Sequence, residues 1–213
     1  MRLLQRCALG ALSLISADAL AAEVYGGVGT TGLEAGFSQP FSDRFGARLE
    51  GNRLGVTRDF TTSNVKYDAQ VKFSNAGAYV DAFFGGGFRL TGGALIGSRK
   101  IHGTARSVGG AIELNGVIYP LGAGDRLDFD VTFPRVTPYL GIGWGHHQTS
   151  GGLHFYADAG AAIGRPKVKL APSASLAARL NPSDLAAEQD AAQEEANSLR
   201  VYTVLKFGVR YVF

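Results

Sequence analysis

The sequence predicts a single-domain, all-β, antiparallel transmembrane barrel of eight strands, with a short helix in its last long loop. Three observations carry that prediction. Apolar residues alternate with polar ones at period two in segment after segment. Glycine is abundant, with 30 residues in 213 against only seven prolines, which suits curved strands. The connections also alternate between short and long along the chain, as in barrels that cross a bilayer.

The chain opens with Arg2 and Arg6, an apolar run from Cys7 to Ile15, and small residues at Ala19 and Ala21. That is the pattern of a cleaved secretory signal, too short and wrongly flanked for a membrane helix. The expected cut follows Ala21, so 1–21 is the signal peptide and 22–213 the barrel domain. Cys7 is the only cysteine and leaves with the signal, so no disulfide, thiol nucleophile or cysteine metal ligand is expected in the mature chain. A formal charge of +3 gives no global reason to expect nucleic acid.

Seven strands read clearly. Leu33, Ala35 and Phe37 oppose Glu34 and Ser38; Phe45, Ala47 and Leu49 oppose Arg48 and Glu50; Ala78, Val80, Ala82 and Phe84 oppose Tyr79 and Asp81. Phe88, Leu90, Ala94 and Ile96 oppose Arg89 and Thr91, and Pro138, Leu140, Ile142 and Trp144 oppose Tyr139, Gly141 and Gly143. Leu153 to Ile163 oppose His154, Tyr156 and Asp158, and Leu205, Phe207, Val209, Tyr211 and Phe213 oppose Lys206, Gly208 and Arg210. An even count needs an eighth, supplied by Glu23–Gly29, where Thr30–Thr31 is either a tight turn or a bulge.

Short connections fall at Ser42–Arg44, Gly85–Gly87 and about His146–Gly152; long ones fall near Asp59–Val65, Lys100–Thr132 and Arg165–Leu199. Aromatics mark the short-turn rim (Phe41, Phe45, Phe83, Phe88, Trp144, Phe155, Tyr211, Phe213), and a second set (Phe60, Tyr67, Phe129, Phe133, Tyr202) lies toward the long loops. Two girdles are expected where strands cross two interfaces. A soluble β-sandwich would also alternate, but it gives no reason for charges among glycines on the polar face.

The mature chain resembles the small outer-membrane β-barrel proteins of Gram-negative bacteria. The nearest type is the eight-stranded barrel of the OmpA and OmpW families. The resemblance rests on the whole pattern, on TPYLGIGWG, and on an ending with Leu205, Phe207, Val209, Tyr211 and Phe213 at alternate positions. That ending looks like the signal read by the barrel-assembly machinery, which the resemblance makes a partner during biogenesis. Outer-membrane localisation is implied, with the C-terminus at the periplasmic rim and the long loops outside the cell.

In a barrel this narrow, side chains nearly fill the lumen. Glu34, Arg48, Glu50, Asp81, Arg89, Asp158, Lys206 and Arg210 are therefore expected to face inward and pair as a structural plug, because unpaired buried charge is costly. Arg165, Lys167 and Lys169 continue the phase of lipid-facing residues and are candidates for contact with lipopolysaccharide phosphates. In the last loop, Asn181, Pro182 and Asp184 form a helix start, and Leu185, Ala192, Ala196 and Leu199 fall near one face.

Sharper motifs do not fit their chemistry. GVGTTG matches a dinucleotide fingerprint, but strand periodicity follows it where a helix must begin. His146 and His147 point to opposite faces if extended, and His147 and Ser150 stand three apart in what reads as a hydrated periplasmic turn, without a nearby orienting acid. No catalytic residue, metal or cofactor is assigned. The expected role is a non-catalytic envelope barrel with outer-membrane lipid and lipopolysaccharide as partners; a narrow conduit for small or apolar solutes is the alternative, and a lipid-A hydrolase the third reading.

Overall fold

The computed structural model describes residues 22–62, 65–107, 110–146, 150–198 and 200–213. The signal segment 1–21 lies outside them, as do His147 and Leu199.

Eight antiparallel strands close into a ring. Its members are β1 (Glu23–Gly29), β2 (Gly32–Pro40), β3 (Phe45–Thr62), β4 (Val65–Phe84) and β5 (Phe88–Ser107). They are followed by β9 (Val136–Trp144), β10 (Gly152–Ile163) and β12 (Val201–Val212), whose Lys206–Val212 pairs back to all of β1. The ambiguity at Thr30–Thr31 resolves as a two-residue turn between two strands, and Gly32 takes a positive φ of 102° to complete it. A Cβ at Gly32 would sit 2.1 Å from the Arg53 carbonyl oxygen, so only glycine fits the close approach. The short connections and Phe213 lie at one end of the ring, the near end; the Thr30–Thr31 turn lies at the far end.

Alternation places large apolar side chains outside and polar ones inside, the reverse of a soluble core. Leu33, Leu49, Leu153, Phe155 and Phe207 are each at least 63% exposed, whereas Arg48, Arg89 and Arg210 are at most 2% exposed. Inside the ring, tyrosines lie against glycines of the adjacent strand or of the next but one. A Cβ on Gly160 would meet the Tyr139 hydroxyl oxygen at 2.4 Å, and one on Gly27 would meet that of Tyr156 at 2.4 Å.

Two expectations about the far end are overturned. The stretch 100–132 is not a long loop, because β5 runs on to Ser107 and is followed by β6 (Ala111–Leu114), β7 (Val117–Pro120) and β8 (Arg126–Thr132). Nor is Asp59–Val65 a loop: β3 and β4 stay paired up to Thr62 and Val65. The long strands β3, β4 and β5 thus outrun the ring as a wing. β5 pairs with β9 over Phe88–Ile96 and with β8 over Lys100–Arg106, and β8 carries β11 (Lys167–Pro172) at the outer edge. β6 and β7 form a separate hairpin whose Asn115–Gly116 turn has φ of 50° and 77°, the mirror-image turn that matches strand twist.

A second core forms on the wing. Val65, Ala105, Ile112, Leu114, Leu121, Leu176 and Leu180 are buried together, with Tyr67, Tyr119, Leu127 and Leu185 against them. It joins the wing to the hairpin, to α1 (Ala174–Ala177) and to α2 (Pro182–Ser198), so the stretches expected as loops fold into a cap. The α2 start follows the sequence: the Asn181 side-chain oxygen accepts the Ser183 amide at 3.2 Å, and Asp184 lies in the first turn. Its docking face is the apolar side expected, with Leu185 on the cap core and Ala196 buried, but two glutamines on that side add polar contacts. Gln189 and Gln193 bond the backbone of β11 and just before it, receiving the Leu170 and Val168 amides at 2.8 and 3.0 Å and donating to the Val168 and Pro166 carbonyls at 2.7 and 3.0 Å. Two side chains one helical turn apart thereby occupy a strand edge that would otherwise be open.

Asp125 pins α1 to the cap. It accepts the Ser175 hydroxyl at 2.6 Å and the Gly122 amide at 2.7 Å, and it pairs with Arg179. Those bonds, the Ser175 hydroxyl foremost, hold its carboxyl below the usual carboxylate range. Tyr119 donates to Asp184 at 2.6 Å, and that bond raises the phenol above its ordinary value.

The aromatic girdles also need correction. At the near end Phe41, Phe45, Phe88, Trp144, Phe155, Tyr211 and Phe213 are exposed on the outer face, but Phe83 is buried inside. The second set is not a girdle. Phe133 and Tyr202 close on Phe73, with all three ring centroids 6.1–6.3 Å apart; Tyr67 joins the cap core; Phe129 covers Gly103. The Phe60 side chain lies outside the described residues.

Candidate functional site

The chemistry of this chain is concentrated inside the ring. All eight interior charges singled out in the sequence are buried there, and they separate into linked groups. The first is a square of two arginines and two aspartates. Arg48 pairs with Asp81 at 2.5 Å and with Asp158 at 3.1 Å; Arg89 pairs with Asp81 at 3.4 Å and also with Asp158. Thr91 donates to Asp81 at 2.5 Å, and Arg48 lies 5.1 Å from the Tyr79 ring centroid, a cation–π distance.

Lys206 centres the second group. It bridges Glu34 at 3.1 Å and Glu50, while Tyr79, Tyr25 and Asn52 donate to Glu50 at 2.8, 3.1 and 2.9 Å. Tyr156 donates to Glu34 at 2.5 Å. Each carboxylate has both a cation and a neutral donor, the condition under which burial of charge is tolerable.

Arg210 pairs with Glu23, whose other oxygen faces Nδ1 of His146. This contact corrects the hydrated-turn reading of His146, which is 0% exposed and clusters with the Tyr25 and Tyr156 rings at 5.0 and 4.8 Å. Glu23, Tyr25, Asn52 and His146 are the members that sequence reasoning missed. Glu23 was legible as the inward partner of Tyr25 two positions on, had β1 been long enough to show its phase.

Above these groups, toward the far end, the interior changes character. Leu95, Tyr139, Ala162 and Val204 are buried with Tyr79 in an apolar layer, and Tyr202 lies against it. Beyond it stands Arg99, 2% exposed, held by the Thr137 hydroxyl and the Pro134 carbonyl and 5.7 Å from the Phe133 ring. Ion pairs and an apolar layer thus follow one another in tiers along the interior.

The remaining predicted positions lie outside. Leu205, Phe207, Val209, Tyr211 and Phe213 are all exposed on β12 and just after it. Arg165, Lys167 and Lys169 are exposed at the far end, the two lysines on β11 facing Thr132 and Asp130 of β8. His102 contacts Asp130 at 2.8 Å, and His154 contacts the Ser150 carbonyl at 3.0 Å.

No family model matches the chain, and no curated protein matches it. Solved structures do. Acinetobacter baumannii CarO2 superposes with a TM-score of 0.66 at 18% identity, over 92% of this chain and 100% of that one. Acinetobacter baumannii CarO gives 0.62 at 20% identity, over 92% of this chain and 98% of that one. At such identity the likeness concerns the fold alone, and it is a coarser statement than the OmpA and OmpW resemblance: the chain has a CarO-like fold, an all-β antiparallel sheet with a ring of eight strands.

Proposed function

We propose that this chain is an integral outer-membrane β-barrel without catalytic function, its lumen closed by ion pairs and its far-end cap presented outside the cell for envelope structure or surface interaction. The observation that carries the reading is the inversion of the ring, with leucines and phenylalanines outside and paired charges inside. Water favours the opposite arrangement, and a hydrocarbon surround favours this one. Under this reading residues 1–21 direct export, and the alternate residues Leu205 to Phe213 serve the assembly machinery. Outer-leaflet lipopolysaccharide meets Arg165, Lys167 and Lys169.

Closure follows from two barriers in series. Arg48 and Asp158 span the ring, and the Leu95 layer stands above them, so an ion would cross both a neutralised charge lattice and a dry constriction. The test is single-channel recording of the refolded mature chain in a planar bilayer, with Arg48→Ala alongside. A folded, silent barrel is expected. Discrete current steps that change in the variant would instead make the chain a narrow conduit.

A further inference from the structure

Directly above the apolar belt, the outer face carries a row of cations that form no ion pair among the described residues. Lys72 on β4 stands opposite Lys100 on β5, Lys100 opposite Thr132 on β8, and Thr132 opposite Lys167 on β11. Residues directly opposite in antiparallel strands share a face, and all four are exposed. Among the described residues none of the three lysines forms an ion pair. The carboxylate in the next row, Asp130, is taken by His102 at 2.8 Å. Like charges placed directly opposite each other are destabilising, so the bare row carries a cost that an external anion would remove.

Its height identifies the anion. Outward residues run Ile96, Ser98, Lys100 on β5 and Ala76, Ser74, Lys72 on β4, from apolar through small hydroxyl to cation. Arg53 faces Ser74 one step lower. The cations thus stand roughly 13 Å along the strand from the last large apolar residue of β5, within reach of headgroup phosphates for a side chain that snorkels. The row spans three strand spacings, about 14 Å, wider than one phosphodiester and suited to a ligand bearing separated phosphates.

We propose that Lys72, Lys100 and Lys167, with Arg53 beside them, form a docking row for the phosphates of a multiply phosphorylated glycolipid, the lipopolysaccharide of the outer leaflet. The proposal rests on the outer-membrane reading and deepens it: Lys167 becomes one end of a row with β4 and β5, and Arg165 and Lys169 flank it.

The test uses the refolded mature chain, titrated in detergent with lipopolysaccharide, with enzymatically dephosphorylated lipopolysaccharide and with phosphatidylglycerol, and read by native mass spectrometry. Replacing all three lysines by glutamine is expected to weaken lipopolysaccharide binding on the order of 100-fold, about fivefold per cation, while the triple arginine variant retains it. In detergent alone the glutamine variant should resist unfolding better than the parent, and in lipopolysaccharide the order should reverse. Lys100→Gln alone reports the same reversal if the triple variant does not refold. Undiminished binding by the glutamine variant, or equal binding of dephosphorylated lipid or of phosphatidylglycerol, overturns the row while leaving the barrel intact. Failure of the parent chain to float with liposomes overturns the barrel and the row together.

Discussion

Arg48 on β3 and Asp158 on β10 stand four strands apart whichever way the ring is counted, and their 3.1 Å ion pair crosses its full width. Opposite walls are therefore joined by a side-chain strut, in addition to the hydrogen bonds that run around the circumference. Asp158 also holds Arg89, and Asp81 holds both arginines, so no member of the square has a single partner.

Removing one corner should be costly, and removing a pair less so. Asp158→Ala leaves two buried guanidiniums sharing Asp81 and should lose about 3–5 kcal/mol. A variant that replaces Arg89 and Asp158 together by apolar residues of similar size should recover much of that loss. Urea unfolding in detergent, followed by the mobility difference between folded and unfolded forms on a gel, measures both. Equal destabilisation by the single and double variants would mean that the ion pair itself, rather than the orphaned charge, is what stabilises the ring.

Gln189 and Gln193 make a prediction about an edge. Replacing both with alanine removes four hydrogen bonds, three to β11 and one to Pro166 just before it. At about 1 kcal/mol each, the loss loosens α2 along β11 and leaves the ring untouched, while Asp184 and Leu185 still hold the first turn of the helix. Hydrogen exchange should quicken at the Val168 and Leu170 amides and stay slow in β12. The uncovered edge should also promote association of the chain with itself; unchanged exchange at Val168 would show that the wing, not the helix, protects β11.

Asp125 gives the cap a pH dependence. Its folded pKa is lowered, so its contribution is fully present above the unfolded carboxylate value of about 3.9. It declines as pH falls below that value and is lost once pH passes the folded pKa. Acidification should loosen α1 and the Gly122–Asp125 turn, and Asp125→Asn should remove that dependence. Protease accessibility of residues 120–126 between pH 2 and pH 5 is the measurement, with an acid-active protease; a flat profile in the parent chain would exclude Asp125 as the titrating group.

The parts of this fold that were legible in the sequence are those where one strand face is apolar. Leu205 to Phe213 and Pro138 to Trp144 announce their own phase, and the charges opposite them follow from it. Past Ile96 the outer residues of β5 become Ser98, Lys100 and His102, and period two disappears because neither face is uniformly apolar. That is why the wing reads as loop. The cap core is hidden for a related reason: Leu114 and Leu176 look like isolated apolar residues until β6 and α1 bring them together. His146 was hidden by locality, since its partner Glu23 lies 123 residues away. The tyrosine–glycine fits depend on register, which no single strand reveals.

The split allegiance of β5, to β9 below and β8 above, has a consequence for how this chain can vary. The cap is woven from the far halves of β3 to β5, from β6 to β8 and from β11 to α2, the last separated in sequence from the others by β9 and β10. A conventional surface loop can be exchanged as one cassette. Here a change at Leu114 must suit Leu176, and an insertion in β8 must suit the edge that α2 covers. Even the Asn115–Gly116 tip is tied, since Asn115 bonds Glu188 and Asp184 of α2; the places free to diverge narrow to positions such as the solvent side of α2, and most of the cap is mechanically coupled to the strands of the ring beneath it.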